Sequence, residues 1–152
     1  MVVKHANPCG VAIGNDLLDV YERAFNADSL SAFGGIIAFN RGCTKEVASA
    51  ISKVFVEIVL APSFEPEALE IFKKKKNLRV LEIGEFGKRE KKIEVRNVDG
   101  GILVQDTDTK ILTKDDLTTV TRREPSEKEI ETALFTWKVL RHTKSNGILI
   151  AK

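Results

Sequence analysis

The sequence predicts a layered α/β domain whose central sheet is covered on both faces. Two observations predict this class. Helix-like and strand-like segments alternate along the chain, an order satisfied by helices packed over a sheet. Several strand-like segments, such as Gly35 to Phe39 and Val56 to Leu60, are unbroken apolar runs rather than in–out alternations. Unbroken runs belong to strands buried on both sides. The 152 residues suit a single domain over 1–152. A hydrophobic content of 43% against 30% charged residues is enough for a core.

The elements follow in order. Val2-Val3 reads as a short buried strand, continued by Val11-Ala12-Ile13 after a turn over Asn7-Pro8-Cys9-Gly10. Between Asp16 and Asn26, Leu17, Leu18, Tyr21, Ala24 and Phe25 mark one face of a helix. Ser31-Ala32-Phe33-Gly34-Gly35 reads as a loop, since paired glycines resist regular structure. The strand Gly35 to Phe39 follows. Thr44 caps a helix carrying Val47, Ala48 and Ile51 on one side. The strand Val56 to Leu60 is stopped by Pro62.

Pro66 suits the first turn of a helix with Ala68, Leu69, Ile71 and Phe72 on its apolar side. Lys73 to Lys76 end it, where cations complement the helix dipole. Leu78 to Ile83 is a strand, and residues 84–92 are a loop. Ile93 to Val98 and Gly101 to Gln105 flank an Asp99-Gly100 turn as a hairpin. Thr118 to Thr121 is a weaker strand candidate. Ser126 with Glu129 three positions on is a capping box. It opens a helix with Ile130, Leu134, Trp137 and Leu140 on one stripe, read as core. Lys144-Ser145-Asn146 leads into a last strand, Gly147 to Ala151. Strand-like text at both ends suggests a piece of a longer protein.

Composition narrows the function. A net charge of +2 makes no electrostatic case for nucleic acid. Two cysteines, Cys9 and Cys43, give neither a disulfide framework nor a zinc pattern. A reducing, cytoplasmic setting is the simplest expectation. No apolar run approaches the roughly 20 residues that span a bilayer, and the start lacks a signal peptide's pattern.

Three short motifs carry candidate chemistry. In "KHANPCG" (Lys4 to Gly10), a zinc deaminase would need a His-x-Glu and a Pro-Cys-x-x-Cys. Here Asn7 stands where the glutamate would, and no second cysteine follows Cys9. A zinc site needs at least three protein ligands, so no metal is expected. Nucleophilic Cys9 is also weak, since no spacing pairs it with His5 or His142. Acid–base work by His5 is the better reading, because an imidazole moves protons near neutrality. Successive strand residues face opposite ways, so Lys4 and His5 share a pocket only if the strand ends there. Taken alone, an exposed Lys-His pair is the commoner meaning. "SAFGG" (Ser31 to Gly35) lets backbone amides approach a ligand. It lacks the Gly-Lys-Ser/Thr of a Walker loop, and taken alone a tight helix-to-strand turn is the better reading. In "KSNG" (Lys144 to Gly147), Asn146 offers donors and acceptors to a substrate amide, or simply stops a helix. The lysine runs 73–76 and 88–92 read as solvated surface.

Taken together the motifs resemble one family. "VVKHANPCGVAIG", "ADSLSAFGGIIAFN", "EIVLAPSFEPEALEIFKKKKNLRVLEIG", "GGILVQDTD" and "ALFTWKVLRHTKSNGILIAK" stand in the order found in AICAR transformylase/IMP cyclohydrolase, the bifunctional purine-biosynthesis enzymes. The resemblance covers nearly the whole chain and points to the first half of the transformylase part. It implies a cytidine-deaminase-like α-β-α sandwich with a mixed sheet. It implies formyl transfer from 10-formyltetrahydrofolate, as co-substrate, to the 5-amino group of AICAR. Lys4 and His5 are then catalytic. Asn7, Ser31, Phe33, Gly34, Gly35, Ser145 and Asn146 then bind the nucleotide. The partners implied are AICAR, folate and a second copy of the chain, with active sites across a homodimer. The cyclohydrolase domain and the second transformylase half lie outside these residues. The alternatives are a non-catalytic nucleotide-binding or dimerisation half-domain, and a deaminase-like hydrolase.

Overall fold

The computed structural model describes residues 1–87 and 92–152. The lysine run at 88–92 therefore lies almost entirely outside the described residues. The chain divides into two compact units, Met1–Phe86 with Val139–Ile148, and Gly87–Lys138 with Leu149–Lys152.

The first unit is built on strands β1 (Val2–Lys4), β2 (Asn7–Gly10), β3 (Gly35–Ala38), β4 (Val56–Ala61) and β5 (Arg79–Glu82). They form one five-stranded sheet in the order β2-β1-β3-β4-β5. β1 is antiparallel to both neighbours, and β3, β4 and β5 run parallel. The topology follows from the connections. A two-residue turn can only reverse a strand, whereas parallel neighbours need a crossover long enough to hold a helix. Helices α1 (Leu17–Ala27) and α2 (Ser29–Ala32) join β2 to β3, while α3 (Lys45–Ile51) and α4 (Pro66–Lys73) are the parallel crossovers. The α/β class with a mixed sheet is thus observed, in an arrangement consistent with a three-layer sandwich.

Local chemistry sets the helix ends as expected. The Asp16 carboxylate accepts from the Leu18 and Asp19 amides, the Thr44 hydroxyl accepts from Val47, and Pro66 stands in the first turn of α4. In the sheet, Val2, Ile37 and Val59 lie side by side across β1, β3 and β4. They are buried together with Val47, Ala48 and Ile51 of α3 and Ala68 and Phe72 of α4. The opposite row, Val3, Ile36 and Ile58, is only half-buried.

Several expectations change. Asn7-Pro8-Cys9-Gly10 is not a turn but strand β2, and Val11-Ala12-Ile13 is not a strand. Pro8 misleads because it usually punctuates. β2 is an edge strand, where a missing N–H costs no ladder bond. Ser31 and Ala32 end α2 rather than lying in a loop. Thr118 to Thr121 and Gly147 to Ala151 form no strand. Ile148 and Ile150 are 89% and 94% exposed. An apolar run becomes a strand only when a neighbour accepts its ladder, and no described strand pairs with it. Trp137 is 49% exposed and is not core.

In the second unit, β6 (Ile93–Val98) and β7 (Gly101–Asp106) pair as the expected hairpin around Asp99-Gly100. None of its described residues is buried. α5 (Glu127–Leu140), whose last two residues count with the first unit, opens on the expected capping box. The Glu129 carboxylate accepts from the Ser126 amide at 2.8 Å, and the Glu129 amide donates to the Ser126 hydroxyl at 3.3 Å. Arg123 closes on the same carboxylate with two nitrogens, at 2.9 and 2.7 Å. The guanidinium, then the Ser126 amide and hydroxyl, hold the Glu129 carboxyl down at about 2. The sign follows. A carboxyl whose folded pKa is depressed stabilises above its ordinary value and loses that contribution as pH falls through the folded one. The box should therefore persist at neutral pH and open between about 4.5 and about 2. A carbon-detected NMR titration of the Glu129 carboxyl checks this, and a midpoint near 4.5 would show that the box does not form in solution.

Candidate functional site

β1 ends at Lys4 because the chain reverses at once. Lys4 pairs with Asn7 across the hairpin, so His5 and Ala6 are the whole turn. Their φ values are +49° and +66°. Positive φ at both central residues is the type I′ turn, which matches strand twist and normally takes Asn or Gly. Histidine tolerates this region better than most residues, whereas alanine meets its Cβ clash. A non-glycine pair held there is stored strain, of the kind found at working sites. The turn lies two residues earlier than expected from Pro8 and Gly10. It puts Lys4 at a strand end, the condition for Lys4 and His5 to work on one side.

The Lys4 ammonium donates to the Phe33 carbonyl at 2.8 Å and to the Gly34 carbonyl at 3.1 Å. These bonds fasten the start of the chain to the "SAFGG" segment, and one of three ammonium donors remains. Gly34 has φ +65°, and a Cβ there would meet Lys4 Nζ and the Phe55 ring, each at 3.2 Å. A side chain there would be strained by the backbone and would press on both neighbours. The Gly34 amide in turn donates to the Phe55 carbonyl at 2.9 Å. The Phe33 and Phe55 rings pair at 5.3 Å, yet stay 63% and 47% exposed. Gly35 is buried at the start of β3. Ser31 does other work. Its amide donates to the Asp28 carboxylate at 3.0 Å at the head of α2, and the Ser31 hydroxyl, then this amide, lower that carboxyl's pKa.

Asn7 makes the third connection. Its side-chain oxygen accepts from the Lys144 amide at 3.1 Å, across 137 residues of sequence. This brings "KSNG" to the hairpin that carries Lys4 and His5. Ser145, Asn146 and His5 are all exposed. Three motifs far apart in the chain thus meet at one end of β1. Pattern reading missed Phe55, the residue just before β4. Its exposure and its contact with Gly34 are tertiary facts, and no periodicity in the sequence marks them.

The cysteines are packed. Cys9 sits in a bulge of β2 and its thiol donates to the Val2 carbonyl at 3.6 Å. Burial pushes the Cys9 thiol up, and pushes Cys43 up to about 12. Neither is a thiolate at neutral pH. Among the described residues, no three His, Cys, Asp or Glu side chains cluster as a metal site. No helix of the described residues is long and apolar enough to cross a membrane.

The family model described as AICARFT/IMPCHase bienzyme matches residues 1–152. The chain belongs to the AICARFT/IMPCHase bienzyme family. Membership makes it part of an enzyme of purine biosynthesis, and of a family whose members carry two activities.

Proposed function

We propose that this chain carries the formyl-transfer side of the bienzyme, moving a formyl group from 10-formyltetrahydrofolate to the 5-amino group of AICAR. The observation that supports the reading most is the Lys4 ammonium bridged to Phe33 and Gly34 beside the strained His5 turn. It gathers the Lys-His pair and the glycine segment, while Asn7 holds the Ser-Asn segment beside them.

An aromatic amine conjugated to a carboxamide is a poor nucleophile. Its attack on the formyl carbon needs loss of a proton and cover for the oxyanion that develops. In this reading the amine nitrogen bonds the formyl carbon and His5 takes the amine proton. The remaining Lys4 donor meets the formyl oxygen as negative charge grows there. The bond from the formyl carbon to the folate nitrogen then breaks, and that nitrogen leaves with the electron pair and takes up a proton. Asn146 holds the carboxamide so that the amine faces the donor. Gly34 and Gly35 let the nucleotide approach the backbone, Phe33 offers an exposed ring, Ser31 and Asn7 keep their segments in place, and Ser145 binds the nucleotide beside Asn146. A second copy of the chain and the second transformylase half would complete the site, in the cytoplasm.

The direct test supplies the intact enzyme with AICAR and 10-formyltetrahydrofolate and follows formylated AICAR by chromatography. Product formation dependent on both substrates is expected. Cyclisation of added formylated AICAR without any formyl transfer would assign this chain to the other activity.

A further inference from the structure

The sheet edge that carries Lys4 continues past Phe55 into a cavity of about 360 Å³. Its walls are the end of α3 with Lys53, and the end of α4 with Lys74, Lys75, Lys76 and Asn77. Phe55 belongs to both places, since it touches Gly34 and also lines the cavity. The geometry is a consequence of strand order. Lys4 ends β1, and Gly35, Val56 and Arg79 begin β3, β4 and β5 along the same edge. Three strand spacings of about 4.8 Å set roughly 14 Å from Lys4 to the start of β5.

Four lysines, Lys53, Lys74, Lys75 and Lys76, are among the residues that line this cavity, and among the described residues no Asp or Glu lines it. A helix terminus alone explains less than this. The dipole of α4 favours a cation in its last turn, but Lys73 stands there and is paired with Glu70 outside the cavity. Other lysines of the chain meet carboxylates, as Lys114 does Glu127 and Lys110 does Asp116. Lys53, Lys74, Lys75 and Lys76 form no ion pair among the described residues. With an overall charge of only +2, this is a local concentration and not a general excess. A cluster of lysines around one space, each a three-donor cation, suits oxygen anions.

We propose that this cavity binds the multiply charged anionic end, carboxylates or phosphate, of a substrate whose reacting end lies at Lys4 and His5. The inference rests on the formyl-transfer reading for the identity of that substrate. The folate's glutamate carboxylates and the nucleotide's phosphate are the two sources of such a group. The distance along the edge lets one molecule reach both ends.

The test uses the intact enzyme and two variants of equal charge. One replaces Lys53, Lys74, Lys75 and Lys76 by Gln, and the other replaces Lys45, Lys92, Lys128 and Lys138 by Gln. Calorimetric titration with sodium tripolyphosphate should show binding weakened about tenfold or more in the first variant and nearly unchanged in the second. Equal loss in both, or none in the first, overturns the proposal. This arm needs no formyl transfer, so it stands even if the reading of the activity fails. The source is read from KM at preserved kcat. A rise for triglutamyl 10-formyltetrahydrofolate but not for the monoglutamate assigns the cavity to the tail carboxylates. A rise for AICAR assigns it to the phosphate. Unchanged KM for all three would overturn the link to a substrate of this site.

Discussion

Replacing His5 by Asn is expected to lower formyl transfer by about 10²–10⁴-fold, the usual worth of a positioned general base. Asn is chosen over Ala for a backbone reason. His5 has φ +49°, and Asn is at ease in that region and in a type I′ turn. Alanine would add strain and confuse a folding defect with lost chemistry. Asn keeps a polar side chain but cannot take a proton near neutrality. The thermal midpoint should therefore stay close to the parent's while turnover collapses, and cyclisation in the intact enzyme should persist. Formyl transfer near the parent rate would remove His5 from the mechanism. Loss of both activities together would mean that the turn, not the imidazole, had been disturbed.

The largest effect on stability is expected from Gly10→Ala. A Cβ at Gly10 would lie 1.8 Å from the Ala24 carbonyl oxygen and 2.9 Å from its carbon. Both are backbone atoms of α1, so no side chain can swing aside. Relief requires α1 to lift from β2, and both help form the frame around Val2, Tyr21 and Ala24. Overpacking of this kind costs about 1–3 kcal/mol. The smaller unfolded-state entropy of alanine returns less than 1 kcal/mol of that. A net loss near 2 kcal/mol would lower Tm by roughly 4–8 °C in a chain of this size. Gly101→Ala is the control, since nothing lies within 4 Å of a Cβ there. Calorimetry on both variants decides the matter. A Gly10→Ala protein as stable as the control would show that α1 does not press on β2 in solution.

The elements that read correctly share one property, that their signal is local. Asp16, Thr44, Pro66 and the Ser126–Glu129 box bond groups within a few residues of themselves. The apolar runs of β3 and β4 are long enough to outvote their surroundings. The misreadings were of residues whose state depends on a distant neighbour. Pro8 is harmless because β2 happens to be at the edge. Gly147 to Ala151 is apolar but pairs with no strand among the described residues. Trp137 lies on a helical stripe, and whether a stripe is core depends on what covers it.

For this protein, sequence alone determined the α/β class, most helix boundaries, the family resemblance, and the motifs in which the candidate site residues stand. It did so because caps, periodicity and ordered motifs are written in neighbouring residues. Only the tertiary structure decided that Lys4 reaches the Phe33 and Gly34 carbonyls, that Asn7 takes the Lys144 amide, and that Phe55 joins them. Those contacts cross 21 to 137 positions of chain. They exist because strand order brings these segments to one edge, and strand order is set by packing the whole sheet against its helices.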